Sequence, residues 1–90
     1  KEETIMDFAQ ALVLVKAGKR IAREDWYRYG MFVYYVPGGE YSTQTEVAKK
    51  QFGDSILYNP YLAIKTTNAS VSTWVPSIDD CLAEDWEELI

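Results

Sequence analysis

Ninety residues make one domain (1–90), and a chain of this size buries only about 60% of its unfolded surface, so self-association has burial to add. The composition is 48% hydrophobic and 14% aromatic, which is globular and not disordered, and seven Tyr with three Trp suit interfaces and ring-binding pockets. A net charge of −5 with no basic block excludes the cationic stripe of a duplex binder, so no DNA or RNA partner is expected; a small phosphorylated ligand needs only two or three donors.

In chain order, Thr4 and Asp7 stand at capping-box spacing ahead of Phe8, Ala11, Leu12 and Val15. That spacing predicts a helix over about 5–17, stopped by Gly18. Lys19–Arg23 reads as a short strand, and Glu24–Gly30 as a polar, aromatic loop. Met31–Val36 (MFVYYV) is the best strand of the chain, ended by Pro37, Gly38 and Gly39. Its alternation sets Phe32, Tyr34 and Val36 against Met31, Val33 and Tyr35. Both faces are apolar, so both should be covered, one by helices and the other by a second copy of the chain. A homo-oligomer is expected on that ground.

A second capping box, Thr43-x-x-Glu46, predicts a helix over about 44–52 with Gly53 as its stop. Tyr58, Asn59, Pro60 and Tyr61 read as a turn that forces an extended chain. Leu62–Thr66 and Ser70–Val75 flank Thr67, Asn68 and Ala69 as a hairpin. Ser77-x-x-Asp80 caps a short helical turn, and Trp86–Ile90 closes the sheet as a last strand. The sum is an α+β fold: a small antiparallel sheet with two main helices and a short third helical turn.

Cys81 stands alone, which fits a reducing cytoplasm, and reads as a small core residue inside its helical turn. The longest apolar run, at 11–15, is too short for a bilayer and follows acids, so neither a membrane span nor a secretion signal is expected. Histidine is absent, which removes the commonest general base and metal ligand. No metal, no cofactor and no catalytic residue are expected. Asp79 and Asp80 could form an acid–base pair or hold magnesium, but Asp80 more simply serves as a helix cap. Glu84 and Asp85 are most simply a solvated turn before Trp86. The reading is of a non-enzyme.

A nucleotide-like ligand asks for stacking surfaces, phosphate donors and acceptors for ribose hydroxyls. Trp26, Tyr27 and Tyr29 lie beside Arg23 and Arg28; Trp74 and Pro76 lead into Ser77, Asp79 and Asp80. Each feature alone is more often structural: Trp26 as a core plug, Trp74 as a cross-strand partner, the arginines as loop solvation. Their clustering keeps a ligand site as the alternative.

The ordered motifs carry a resemblance. A MetAspPheAlaGlnAlaLeu helix ends at AlaGlyLys, followed by ArgGluAspTrp and GlyMetPheValTyrTyrValProGly. ThrGluValAlaLysLys, AsnProTyrLeuAlaIleLys, TrpValProSer and LeuAlaGluAspTrp come next. From about Met6 to the C-terminus this succession resembles the Thoeris anti-defence type 2 proteins of phages and prophages. The resemblance implies a non-catalytic sponge that sequesters a cyclic ADP-ribose-type messenger, glycocyclic ADP-ribose, in the host bacterial cytoplasm, so that the defence effector is never switched on. It further implies a homo-oligomer, typically a tetramer, with pockets between subunits; some members also hold cyclic dinucleotides at a separate site.

Carried over by motif, Trp26 and the stretch Trp74, Val75, Pro76 and Ser77 with Asp80 fall in the pocket, and Phe8 is a further aromatic candidate. With Arg23, Arg28 and Asp79 from the residue-level reading, these make up the expected ligand-binding set. The chain departs from the family pattern at Asp25, where a small residue often precedes the Trp, and at Ile78, where a polar residue often follows the Ser. Two alternatives stand beside the sponge: a protein-interaction adaptor and a messenger-hydrolysing enzyme.

Overall fold

The computed structural model describes residues 5–90. Asp7 caps the first helix, α1 (Phe8–Lys16): its carboxylate accepts from Gln10 N at 2.9 Å, and Gln10 Oε1 accepts from Asp7 N at 3.0 Å. The helix therefore begins at residue 8, not 5, and Thr4 of the expected box lies outside the described residues. The reason is local competition. Met6 is held extended by reciprocal backbone hydrogen bonds with Trp86, both 3.1 Å, and cannot join the helix. Past the end of α1, Gly18 takes φ 96°, a conformation in which a Cβ is strained, and turns the chain into β1 (Arg20–Arg23).

After a 3₁₀ turn at Tyr27–Tyr29 come β2 (Phe32–Val36), β3 (Gly39–Ser42), α2 (Glu46–Phe52), β4 (Ser55–Tyr58) and β5 (Tyr61–Lys65). The chain continues with β6 (Val71–Thr73), α3 (Ile78–Leu82) and β7 (Trp86–Leu89). Among the described residues, β6-β5-β2-β1-β7 form one antiparallel sheet and β3-β4 a smaller one. This is the expected α+β architecture. The expected hairpin is the β5–β6 pair, and the last strand is β7.

The register explains the core. Ile21 lies opposite Val33, and Val33 opposite Ile64, so these side chains share one face with Trp86. Ala11 and Val15 of α1 pack onto that face and are fully buried with Ile21, Val33 and Trp86. The other face carries Arg20, Phe32, Tyr34, Lys65 and Val71 around a hollow of about 420 Å³, with the Arg20 guanidinium 5.2 Å from the Phe32 ring centre. Within one chain this face stays open; it is the face of Met31–Val36 for which cover by a second copy is expected.

The smaller sheet is a continuation of the larger one. Val36 pairs with Tyr61 and Gly39 with Tyr58, the same offset on both sides of the gap. Counting inward, Pro37 falls opposite Pro60, and neither has an N–H to give to the ladder. β2–β3 and β4–β5 are thus the two strands of one long ribbon, interrupted at a double-proline neck. β2 ends at Val36, as expected from Pro37 and Gly38, but the chain runs on into β3, and Asn59 and Pro60 do not turn it back.

Thr45, not Thr43, caps α2, its Oγ1 accepting from Ala48 N at 3.1 Å. Thr43 is still in the ladder, with its N–H bonded to Asp54 O at 2.9 Å. Its hydroxyl, in a residue only 3% exposed, donates to Gly53 O at 2.7 Å and ties together the two ends of the α2 segment, at the tip of the arm formed by β3, α2 and β4. In α3 the Ser77–Asp80 capping box forms as expected, with both bonds at 3.0 Å. Cys81 is a correction: α3 turns Asp80 and the following Ala83 inward, which leaves the thiol exposed.

The neck generates a test. A Cβ on Gly38 would lie 2.8 Å from the Tyr58 carbonyl oxygen and 3.0 Å from Pro60 Cδ. Gly38→Ala should therefore destabilise by about 1–3 kcal/mol, as overpacking against backbone does. Thermal unfolding should show a midpoint lowered by several degrees; an unchanged midpoint would mean that the two strands do not approach so closely.

Candidate functional site

Trp86 opens β7 and is fully buried, and its indole Nε1 donates to the Asp80 backbone oxygen at 2.9 Å. Three half-buried aromatics surround it. Phe8, from the first turn of α1, lies 5.4 Å away between ring centres; Trp26 lies 5.3 Å away and Trp74 6.0 Å away. Trp26 and Trp74 also meet each other edge-to-face at 6.2 Å and 85°, and Phe8 meets Trp74 at 6.2 Å. Such pairs contribute about 0.5–1.5 kcal/mol each beyond their burial. Three remote segments are in this way gathered onto one indole.

A polar network lies alongside. Arg23, the last residue of β1, donates from Nε to Asp85 at 3.0 Å and from Nη1 to Asp80 at 3.1 Å. The bond from Asp85 above all raises the basicity of the Arg23 guanidinium, with burial acting against it and Asp80 adding to it. Arg23 carries its charge at any working pH. Asp80 is satisfied on both carboxylate oxygens, one by Arg23 and one by the Ser77 N–H, while its backbone oxygen holds Trp86. The pairing of Arg23 with Trp86 across β1 and β7 is what brings Asp85 beside the guanidinium.

Phe8, Arg23, Trp26, Trp74, Ser77 and Asp80 of the expected set therefore fall into one cluster. Half-buried Pro76 sits between Trp74 and Ser77, and Asp79 points to solvent beside it. Arg28 is not brought in: its exposed guanidinium lies 3.7 Å from Asp25 and 5.9 Å from the Tyr29 ring. Two residues of the cluster were missed. Asp85 is a salt-bridge partner and not a solvated turn, and Trp86 is the hub and not merely the start of a strand. No local pattern announces either; both depend on the register of β7 against β1.

The cluster offers ring surface and hydrogen-bond acceptors. Two carboxylates face one guanidinium, so Arg23 is already committed within the chain and the local charge is negative. Aromatic edges and carboxylate or hydroxyl acceptors suit rings and sugar hydroxyls better than phosphates. Among the described residues no group of three or more His, Cys, Asp or Glu side chains is placed to hold a metal ion, and no helix is long and apolar enough to cross a membrane.

Comparison with known proteins places the chain. The protein "Thoeris anti-defense 2" of Bacillus phage SP01 is 28% identical to it over 85 residues, covering 94% of this chain and 96% of that protein. The profile of the Thoeris anti-defense 2-like domain matches residues 6–89, so that α1, the sheet, the arm and the tryptophan cluster all lie inside the match. The chain belongs to the Thoeris anti-defense 2-like family.

Proposed function

We propose that this protein acts in phage anti-defence as a sponge: it binds a cyclic ADP-ribose-type messenger, glycocyclic ADP-ribose, and holds it without cleaving it, in the host bacterial cytoplasm. Family membership supports the anti-defence role. The observation that carries the binding step is the gathering of Phe8, Trp26 and Trp74 around Trp86, next to the acceptors of Ser77, Asp79 and Asp80.

The chemistry follows from what each group offers. Half-buried Trp26 and Trp74 provide ring surface for stacking, each stack contributing about 1–3 kcal/mol. Exposed Asp79 accepts from ribose hydroxyls, and Pro76 adds apolar wall. Arg23 positions this wall, since two carboxylates already engage it. The messenger's phosphates therefore meet other donors, exposed Arg28 or cations of a second subunit, and the pocket is completed in a homo-oligomer, a tetramer by family resemblance. A sponge lowers free messenger by mass action, so tight binding without turnover is sufficient. Nanomolar affinity, about −12 kcal/mol, is within reach of two stacked rings and charge-assisted phosphate contacts.

The decisive experiment incubates the protein with the messenger, removes free ligand, heat-denatures the complex and identifies what is released. Intact messenger is the expected result. A cleaved product would instead indicate a hydrolase, and no ligand at all would leave an adaptor. Trp26→Ala and Trp74→Ala should each abolish capture or weaken it by at least about 5- to 150-fold, the equivalent of one lost stack. Circular dichroism should show the fold retained; undiminished capture in both variants would place the pocket elsewhere. Asp79→Asn should weaken binding and leave turnover at zero, a view that time-dependent loss of messenger in that variant would contradict.

A further inference from the structure

The arm formed by β3, α2 and β4 has no use in the cluster around Trp86. It stands out from the body, giving the chain extents of 53 × 26 × 25 Å and a radius of gyration of 15.7 Å, where about 12 Å is usual for a compact chain of this length. None of the residues of α2 is buried. Val47, Phe52 and Leu57 are 78%, 51% and 65% exposed, and Tyr41 and Tyr58 are also open to solvent. A two-stranded ribbon is marginal by itself in water, yet this one carries its apolar side chains outward.

We propose that this arm is the surface through which two copies of the chain associate, Phe52 and Leu57 of each meeting the arm of the other about a two-fold axis. The proposal rests on the homo-oligomer reading above and names the part of the chain responsible. Surface area argues for a partner. The chain exposes 6607 Å², while a compact monomer of 10.3 kDa exposes about 5,400 Å². The excess, about 1,200 Å², exceeds the roughly 800 Å² that each side contributes to a standard interface. Charge argues that the partner is a second copy. A chain of net −5 repels its own kind, but residues 37–60 hold Glu40, Glu46 and Asp54 against Lys49 and Lys50, a net of −1 with both signs present. An isologous contact sets such a surface against itself, so the lysines of one arm can approach the acids of the other. The open sheet face around Arg20, Phe32, Tyr34, Lys65 and Val71 is the competing place.

The test is mass in solution by light scattering or sedimentation, for the wild type and for a Phe52→Glu/Leu57→Glu double variant. The wild type is expected as a multiple of 10.3 kDa and the variant as a single chain, with the near-ultraviolet dichroism of the tryptophan cluster unchanged. A variant that keeps the wild-type mass overturns the arm as the contact while leaving self-association intact. A monomeric wild type overturns both, and messenger capture measured on the same sample keeps that result separate from the sponge reading. Should the double variant lose its dichroism, Val47→Asp, at the most exposed apolar position of α2, is read by the same two outcomes. Loss of mass on Tyr34→Glu alone, with both arm variants still associated, moves the contact to the open sheet face and overturns the proposal.

Discussion

A buried indole has one N–H and must find one acceptor for it, and Trp86 finds the backbone oxygen of Asp80. Much of the domain follows from that bond. It fixes α3 against the start of β7, and α3 in turn presents the Asp80 carboxylate to Arg23 at the end of β1. Because Met6 is bridged to Trp86 as well, the entry to α1 is held at the same point. Leaving a buried donor unpaired costs about 1–3 kcal/mol, so the alternative arrangements of these segments are penalised from the outset. The network is thus a positioning device whose product is the relative placement of Phe8, Trp26 and Trp74.

The electrostatic character of the cluster constrains how it handles an anion. Acids outnumber the one guanidinium, and the guanidinium is engaged on two of its nitrogens. A surface of this kind favours ring faces and sugar hydroxyls over phosphate oxygens. Under the proposed function, recognition of the uncharged parts of a nucleotide and of its phosphates is divided between different regions, which would give association of subunits a chemical purpose beyond burial.

Local signals in the sequence led to the right structure where the deciding interaction is itself local. Ser77 and Asp80 satisfy each other within one turn, so α3 was legible; the apolar run ending at Val36 was legible as a strand from its β-branched and aromatic residue types, although its partners are distant in sequence. Thr43-x-x-Glu46 misled because Thr43 remains in the ladder with Asp54, a contact eleven residues away in sequence, and the cap passed to Thr45. Pro37 with Gly38, and Asn59 with Pro60, are turn signals one at a time. Only their alignment across the ribbon makes them a neck. Six of the expected site residues came together because they flank segments that meet at Trp86, whereas the role of Asp85 depends on the pairing of β1 with β7. Cys81 looked like a core residue by type, but the inward stripe of α3 is occupied by Asp80.

The double-proline neck has a mechanical consequence. Two covalent strands cross it side by side in unbroken register, with Gly38 pressed close to the opposing backbone. A connection of that kind resists torsion even where its hydrogen bonds are missing. On the proposed association, a second copy docked at the outer end of the ribbon would thereby be held at a set angle to the indole cluster, as on a lever and not on a tether.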